Sequence, residues 1–138
     1  DPYYFSYICK KKKFNTKITL AGRYINDQMA QVVKDIIKFK LKEMKLKKNT
    51  KILICGLTYK KDVADLRNSL ALKILKMFKN KYIKGFDPLI DTNTAKNNGL
   101  FISENQIKNF DVFIVLTNHS KMKKILKKVN KNKIIVPI

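Results

Sequence analysis

Tryptophan is absent from this 138-residue sequence, histidine occurs once (His119), arginine twice (Arg23, Arg67), cysteine twice (Cys9, Cys55) and glycine four times. Each shortage excludes something. One histidine and two distant cysteines give no metal-binding pattern, and a disulfide scaffold would need more cysteines in a shorter chain. Cys55, inside an apolar run, reads as a small hydrophobe. No apolar run is long enough for a signal-peptide core or a membrane span, which points to a reduced, cytoplasmic setting and no membrane partner. The scarcity of arginine bears on the formal charge of +21, because 29 of the 31 basic residues are lysine. Arginine is the usual residue for bidentate base readout and guanidinium stacking. The lysines recur on every segment instead of forming one stripe, and lysine drift in an AT-rich genome accounts for the charge at least as well as a polyanion partner does. No specific nucleic-acid partner is expected. A basic α/β domain that binds nucleic acid or other polyanions without catalysis is the alternative reading.

What is present is a 45% apolar composition, enough for one packed domain and an attached element. Residues 3–12 form a short aromatic-rich segment, with Pro2 where a helix tolerates proline. From Ile25 the apolar positions Ile25, Met29, Val32, Val33, Ile36, Ile37, Leu41 and Met44 recur at three- and four-residue steps, predicting an amphipathic helix about 30 Å long. Such a helix spans domains or pairs with a partner. The lysine-rich break at 45–50 places the main boundary, giving a helical segment 1–48 and a domain 49–138. Beyond it, strands at 51–55, 82–86, 112–116 and 133–136 alternate with helices at 67–79 and 120–129, the βαβ rhythm of a parallel sheet. A turn is expected around Asn97-Asn98-Gly99, a short strand at 100–102 and a brief helix capped by Ser103. The fold class is therefore α/β, a Rossmann-like parallel sheet with flanking helices, preceded by a long central helix.

The run Gly56-Leu57-Thr58-Tyr59-Lys60-Lys61-Asp62-Val63-Ala64-Asp65-Leu66-Arg67-Asn68-Ser69 follows the first strand and opens a helix, where an α/β protein places its ligand loop. One glycine does not make the Gly-x-Gly-x-x-Gly turn that wraps a pyrophosphate in backbone amides, so side chains would grip the ligand. Lys60 suits a phosphate and Tyr59 suits a base or sugar, against the plainer reading of a solvated lysine beside a core tyrosine. Asp65 and Arg67 suit a local pair, with Asn68 or Ser69 capping the helix. Asp87, after the second strand, stands where a dinucleotide-binding unit keeps its ribose acid, although a strand-ending turn is the better reading without the glycine fingerprint. His119 reads as a helix cap.

Taken together, that loop, the helix after it, and Gly85-Phe86-Asp87-Pro88 closely resemble the C-terminal domain of the UDP-glucose/GDP-mannose dehydrogenase family. Asp1-Pro2-Tyr3-Tyr4-Phe5 resembles the segment directly after that family's nucleophilic cysteine. Leu20-Ala21-Gly22-Arg23-Tyr24-Ile25-Asn26-Asp27-Gln28-Met29 is similar to the opening of its central helix, in the form of the UDP-N-acetylhexosamine branch. The resemblance covers essentially the whole chain. It implies a two-step, NAD-dependent oxidation of C6 of a UDP-sugar to the uronate, for surface polysaccharide precursors. It assigns water activation to Asp1, UDP-sugar contacts to Tyr59 and Lys60, a dinucleotide contact across the domain cleft to Arg67, and homodimerisation to the helix 25–44.

The sequence also departs from the family. Cys9 does not match the catalytic cysteine, and Val136-Pro137 stands where an acidic strand end is expected. The nucleophile, the dinucleotide-binding half, the closing helix and the last substrate arginine have no counterpart among these residues. The chain, which opens on Asp1-Pro2, is therefore expected to be a fragment that is inactive without its N-terminal NAD-binding half.

Overall fold

The computed structural model describes residues 2–78, 80–91 and 101–129, together with the backbone of one further strand, Ile134–Pro137. Asp1, Lys79 and the expected turn around Asn97-Asn98-Gly99 lie outside the described residues. Four strands form one sheet: β1 (Ile52–Cys55), β2 (Ile83–Phe86), β3 (Val112–Val115) and β4 (Ile134–Pro137), in the order β2-β1-β3-β4. Every neighbouring pair is parallel, with Ile54 of β1 opposite Gly85 on one side and Ile114 on the other. Phe101 adds an isolated parallel bridge to Gly85, and Ile102 N–H donates to the Gly85 carbonyl at 2.9 Å. With that rudimentary outer strand the order is that of a dinucleotide-binding sheet, and the reversal falls between β1 and β3.

Strands β1 to β3 are apolar at nearly every position because both faces are covered. Successive residues point to opposite faces, so Ile52 and Ile54 join Ile83, Val112 and Ile114 in one core cluster, while Leu53 and Cys55 join Phe113 and Val115 in another. The first cluster is closed by α2 (Lys17–Glu43) and α3 (Leu70–Met77), and the second by the 3-10 helix Glu104–Asn109 and by α4 (Ser120–Lys127). Burial pushes the Cys55 thiol up to about 12, as fits a core residue. Ser103 and Gln106 cap the 3-10 helix reciprocally, as expected from Ser103.

The helical part departs from expectation in two respects. The long helix begins at Lys17, eight residues before Ile25, and follows α1 (Pro2–Lys11). Its apolar residues form two stripes instead of one. Ala30 and Ile37 are buried in the core with Val33, Leu41 and Met44 beside them, whereas Ile25, Val32, Ile36 and Phe39 stay exposed on another face. No described helix is long and apolar enough to cross a membrane.

Candidate functional site

The loop after β1 is fixed first by its glycine. Gly56 has φ +79°, a conformation open to glycine, and a Cβ there would collide with the Thr117 carbonyl at the end of β3. Its N–H donates to the Phe86 carbonyl at 2.9 Å, so the ends of three strands meet at this residue. Leu57 is fully buried, and the next N–H groups turn inward onto a carboxylate: Asp87 Oδ2 accepts from Leu57 N–H at 2.6 Å and from Thr58 N–H at 3.1 Å. Ser69 closes the far end, its hydroxyl donating to the Leu57 carbonyl and accepting from Leu72 N–H at 3.0 Å as the N-cap of α3. The sequence allowed Asn68 or Ser69 for this cap. Asn68 instead takes φ +55°, which holds the start of α3 at Leu70.

Beneath the loop lies a polar cluster whose composition was visible in the sequence but whose connection was not. The Asp87 and His119 side chains are completely buried, with His119 Nε2 at 3.0 Å from Asp87 Oδ2 and 3.0 Å from the Thr58 hydroxyl. On its other side, His119 Nδ1 accepts from Asp62 N–H at 2.8 Å. Nδ1 is thus an acceptor and Nε2 carries the proton. The expectation that His119 caps a helix fails for the side chain: the residue occupies the N-cap position of α4 without a side-chain cap bond. Asp62 does that work from the loop, accepting from Ser120 N–H at 2.8 Å and from its hydroxyl at 2.7 Å. The Ser120 hydroxyl bond holds the Asp62 carboxyl below the usual range. Asp87 does end its strand in a turn, through Leu89 N–H to Oδ1 at 2.9 Å. Both of its oxygens are committed inside the protein, which leaves nothing for a ribose.

Above this cluster the loop faces a cleft of about 1090 Å³ at the carboxyl ends of β1 and β3. One wall carries Thr58, Tyr59, Leu116 and Thr117; Asp65, Arg67 and Lys73 stand on α3 and its approach; Tyr3, Arg23 and Asp27 of α1 and α2 face them. Tyr59 is 57% exposed, so it is no core tyrosine. Lys60 is exposed and sits outside the cleft lining, with Nζ 5.5 Å from the Tyr59 ring centroid. Arg67 grips Asp65, with Nε at 3.0 Å and a terminal nitrogen at 2.8 Å, and holds its carboxyl down at about 2 while its own side chain stays 88% exposed. Across the cleft, Tyr3 donates to Asp27 at 2.6 Å and Arg23 pairs with the same carboxylate. Motif reading missed Lys73 and this trio as lining residues. Among the described residues no cluster of three His, Cys, Asp or Glu could hold a metal ion.

A parallel α/β sheet with a polar cleft at its switch point defines a nucleotide-binding type of domain. The chain belongs to the UDP-glucose/GDP-mannose dehydrogenase family, whose UDP binding domain matches residues 53–138. Among curated proteins it is similar to UDP-N-acetyl-D-glucosamine 6-dehydrogenase of Salmonella typhi, 29% identical over 91% of this chain and 31% of that protein. UDP-N-acetyl-D-mannosamine dehydrogenase of Methanococcus vannielii is 30% identical over 99% of this chain and 32% of that one. The chain thus spans about a third of the length of the relatives it matches across most of its own length. In fold it is similar to GDP-mannose dehydrogenase of Pseudomonas aeruginosa (TM-score 0.72, 17% identity, 99% of this chain and 34% of that one). UDP-N-acetyl-mannosamine dehydrogenase of Staphylococcus aureus is also alike (TM-score 0.66, 23% identity, 90% and 34%).

Proposed function

We propose that this chain is the UDP-sugar-binding part of an NAD-dependent nucleotide-sugar 6-dehydrogenase that oxidises a UDP-N-acetylhexosamine, or UDP-glucose, to the uronate for surface polysaccharide precursors. The reading rests chiefly on the joint placement of Thr58, Tyr59, Arg67 and Thr117 around one cleft at the switch point, inside the segment matched by a UDP binding domain. The exposed Tyr59 ring offers a stacking face to the base, and Lys60 beside it neutralises the diphosphate from the rim. NAD, when bound, accepts the hydride. This chain's contribution to it is one rim contact: an exposed guanidinium held in a fixed orientation by Asp65 suits a phosphate, whereas the single loop glycine makes no pyrophosphate cradle. Water activation falls to Asp1, on the sequence resemblance alone.

In this reading residues 1–48 are the central helical segment and 49–138 the UDP-sugar-binding domain. An N-terminal NAD-binding half with the nucleophilic cysteine supplies the rest of a cytoplasmic enzyme. The exposed stripe Ile25, Val32, Ile36 and Phe39 on α2 supports a homodimer through this helix.

Hydrogen exchange tests the binding claim. UDP at about millimolar concentration, which reveals sites of about −4 kcal/mol, is expected to slow exchange of the amides at 58–62, and Lys60→Ala to abolish that protection. Unchanged exchange would remove the site from this chain. Binding of nucleic acid that persists from low to physiological salt would favour the alternative, since charge-driven association collapses as salt rises.

A further inference from the structure

We propose that His119 is the positioning residue of the ligand loop. Its neutral, Nε2-protonated imidazole holds residues 58–62 against the cleft, and uptake of a proton at Nδ1 releases them. The proposal deepens the UDP-binding reading and rests on it for the identity of the ligand.

The ring bridges the base of the turn that presents Tyr59 and Lys60. On one side Nε2–H is shared between Asp87 Oδ2 and the Thr58 hydroxyl, which itself donates to the Lys60 carbonyl at 3.2 Å. On the other, Nδ1 takes the Asp62 N–H. Asp62 has φ +59°, a conformation uncommon for a residue other than glycine and one that persists only where its surroundings impose it. Two anchors impose it here, the amide on the imidazole and the carboxylate on Ser120. Between these ends the Tyr59 N–H reaches the Asp65 carbonyl at 2.7 Å, so fixing residues 58 and 62 fixes the pair between them.

This arrangement admits one tautomer and one charge state. A proton on Nδ1 would point a donor at the Asp62 N–H, 2.8 Å away. The new charge would at the same time draw in the Asp62 carboxylate, whose Oδ1 already lies 3.8 Å from Nδ1. Both effects act on Asp62, and both pull it from its place at the start of α4. The charged groups facing the ring are Asp87 from the end of β2 and Asp62 from the loop. Lys61 acts on Asp62, and Lys121 of α4 donates to the Pro88 carbonyl at 3.3 Å. A buried imidazole that served packing alone would not connect its protonation to the loop.

Because His119 is the only histidine, nitrogen-15 NMR of the imidazole reads its state without ambiguity. At about pH 7.5 the chain without ligand is expected to show the Nε2–H tautomer and a protected Asp62 amide. As acid is added until the ring signal reports an imidazolium, protection of that amide relative to the free chain should fall about tenfold in step with it, a factor equal to about 1.4 kcal/mol. His119→Asn puts a carbonyl oxygen where Nδ1 accepts and should keep the protection at every pH. His119→Gln puts its amide nearer Nε2 and should lose the protection even at neutral pH. UDP affinity should follow the same course.

An Nδ1–H tautomer or an imidazolium at about pH 7.5 would overturn the proposal. So would Asp62 protection that stays level while the ring titrates, a test that uses the native chain and survives any failure of the variants to fold. If the ligand-free changes occur and UDP does not bind, the positioning role stands and the UDP reading falls.

Discussion

The two tiers of the loop after β1 each carry an aspartate and do opposite work. In the lower tier Asp87, His119, Thr58 and Ser69 are buried, and nearly every polar atom meets a partner across long stretches of sequence. In the upper tier Tyr59, Lys60 and Arg67 are exposed, and the side-chain contacts of Lys60 and Arg67 are to neighbours one or two positions away. A carboxylate in the lower tier holds a strand end together. A carboxylate in the upper tier, Asp65, aims one guanidinium. For these two carboxylates it is burial, not residue type, that separates the one fixing the backbone from the one at the ligand face. Exposed ion pairs contribute little to stability, whereas removing one partner of a buried charged network leaves desolvated groups unpaired.

That contrast is easiest to break at Asp87. Asp87→Ala strands the Leu57 and Thr58 N–H groups and the buried imidazole, and the expected loss is about 3–5 kcal/mol of unfolding free energy by urea titration. A loss below about 1 kcal/mol would mean that the lower tier is not what holds the loop. Thr58→Val, which removes one hydroxyl from the same cluster, is expected to cost about 1 kcal/mol in that titration. In the upper tier, Arg67→Gln should shift the unfolding midpoint at neutral pH only slightly. It should raise the Asp65 carboxyl, seen by carbon-13 NMR, from about 2 toward the ordinary value of about 3.9. The sign follows from the lowered carboxyl. Its pairing is complete above about pH 4 and is lost as pH falls toward about 2, so the small stability difference between native and variant chains is present above about pH 4 and vanishes as pH falls toward about 2.

The sheet was legible because its signals are local. Four apolar runs bounded by polar turns specify four parallel strands, and each lies within a residue or so of its expected place. The start of α2 was not legible, since Ile18 and Leu20 are exposed and residues 17–24 carry no core-facing stripe to mark them as helical. The loop stood out by position, and Tyr59 and Arg67 did come together on one cleft. That Lys60 lies outside the cleft lining needed the turn geometry. His119 was the hardest to read: a residue at a helix start suggests a cap, while its actual partners Thr58, Asp62 and Asp87 lie 61, 57 and 32 positions away. Nothing in local propensity encodes a bond of that span.

The claim on which the rest depends is that the base of a UDP ligand sits against the wall where β1 and β3 end. Intermolecular NOEs from the uracil ring protons of bound UDP would test it directly. Contacts to the Tyr59 ring and the Thr117 methyl are expected. Contacts confined to the lysines of α4, or to the exposed face of α2, would contradict it.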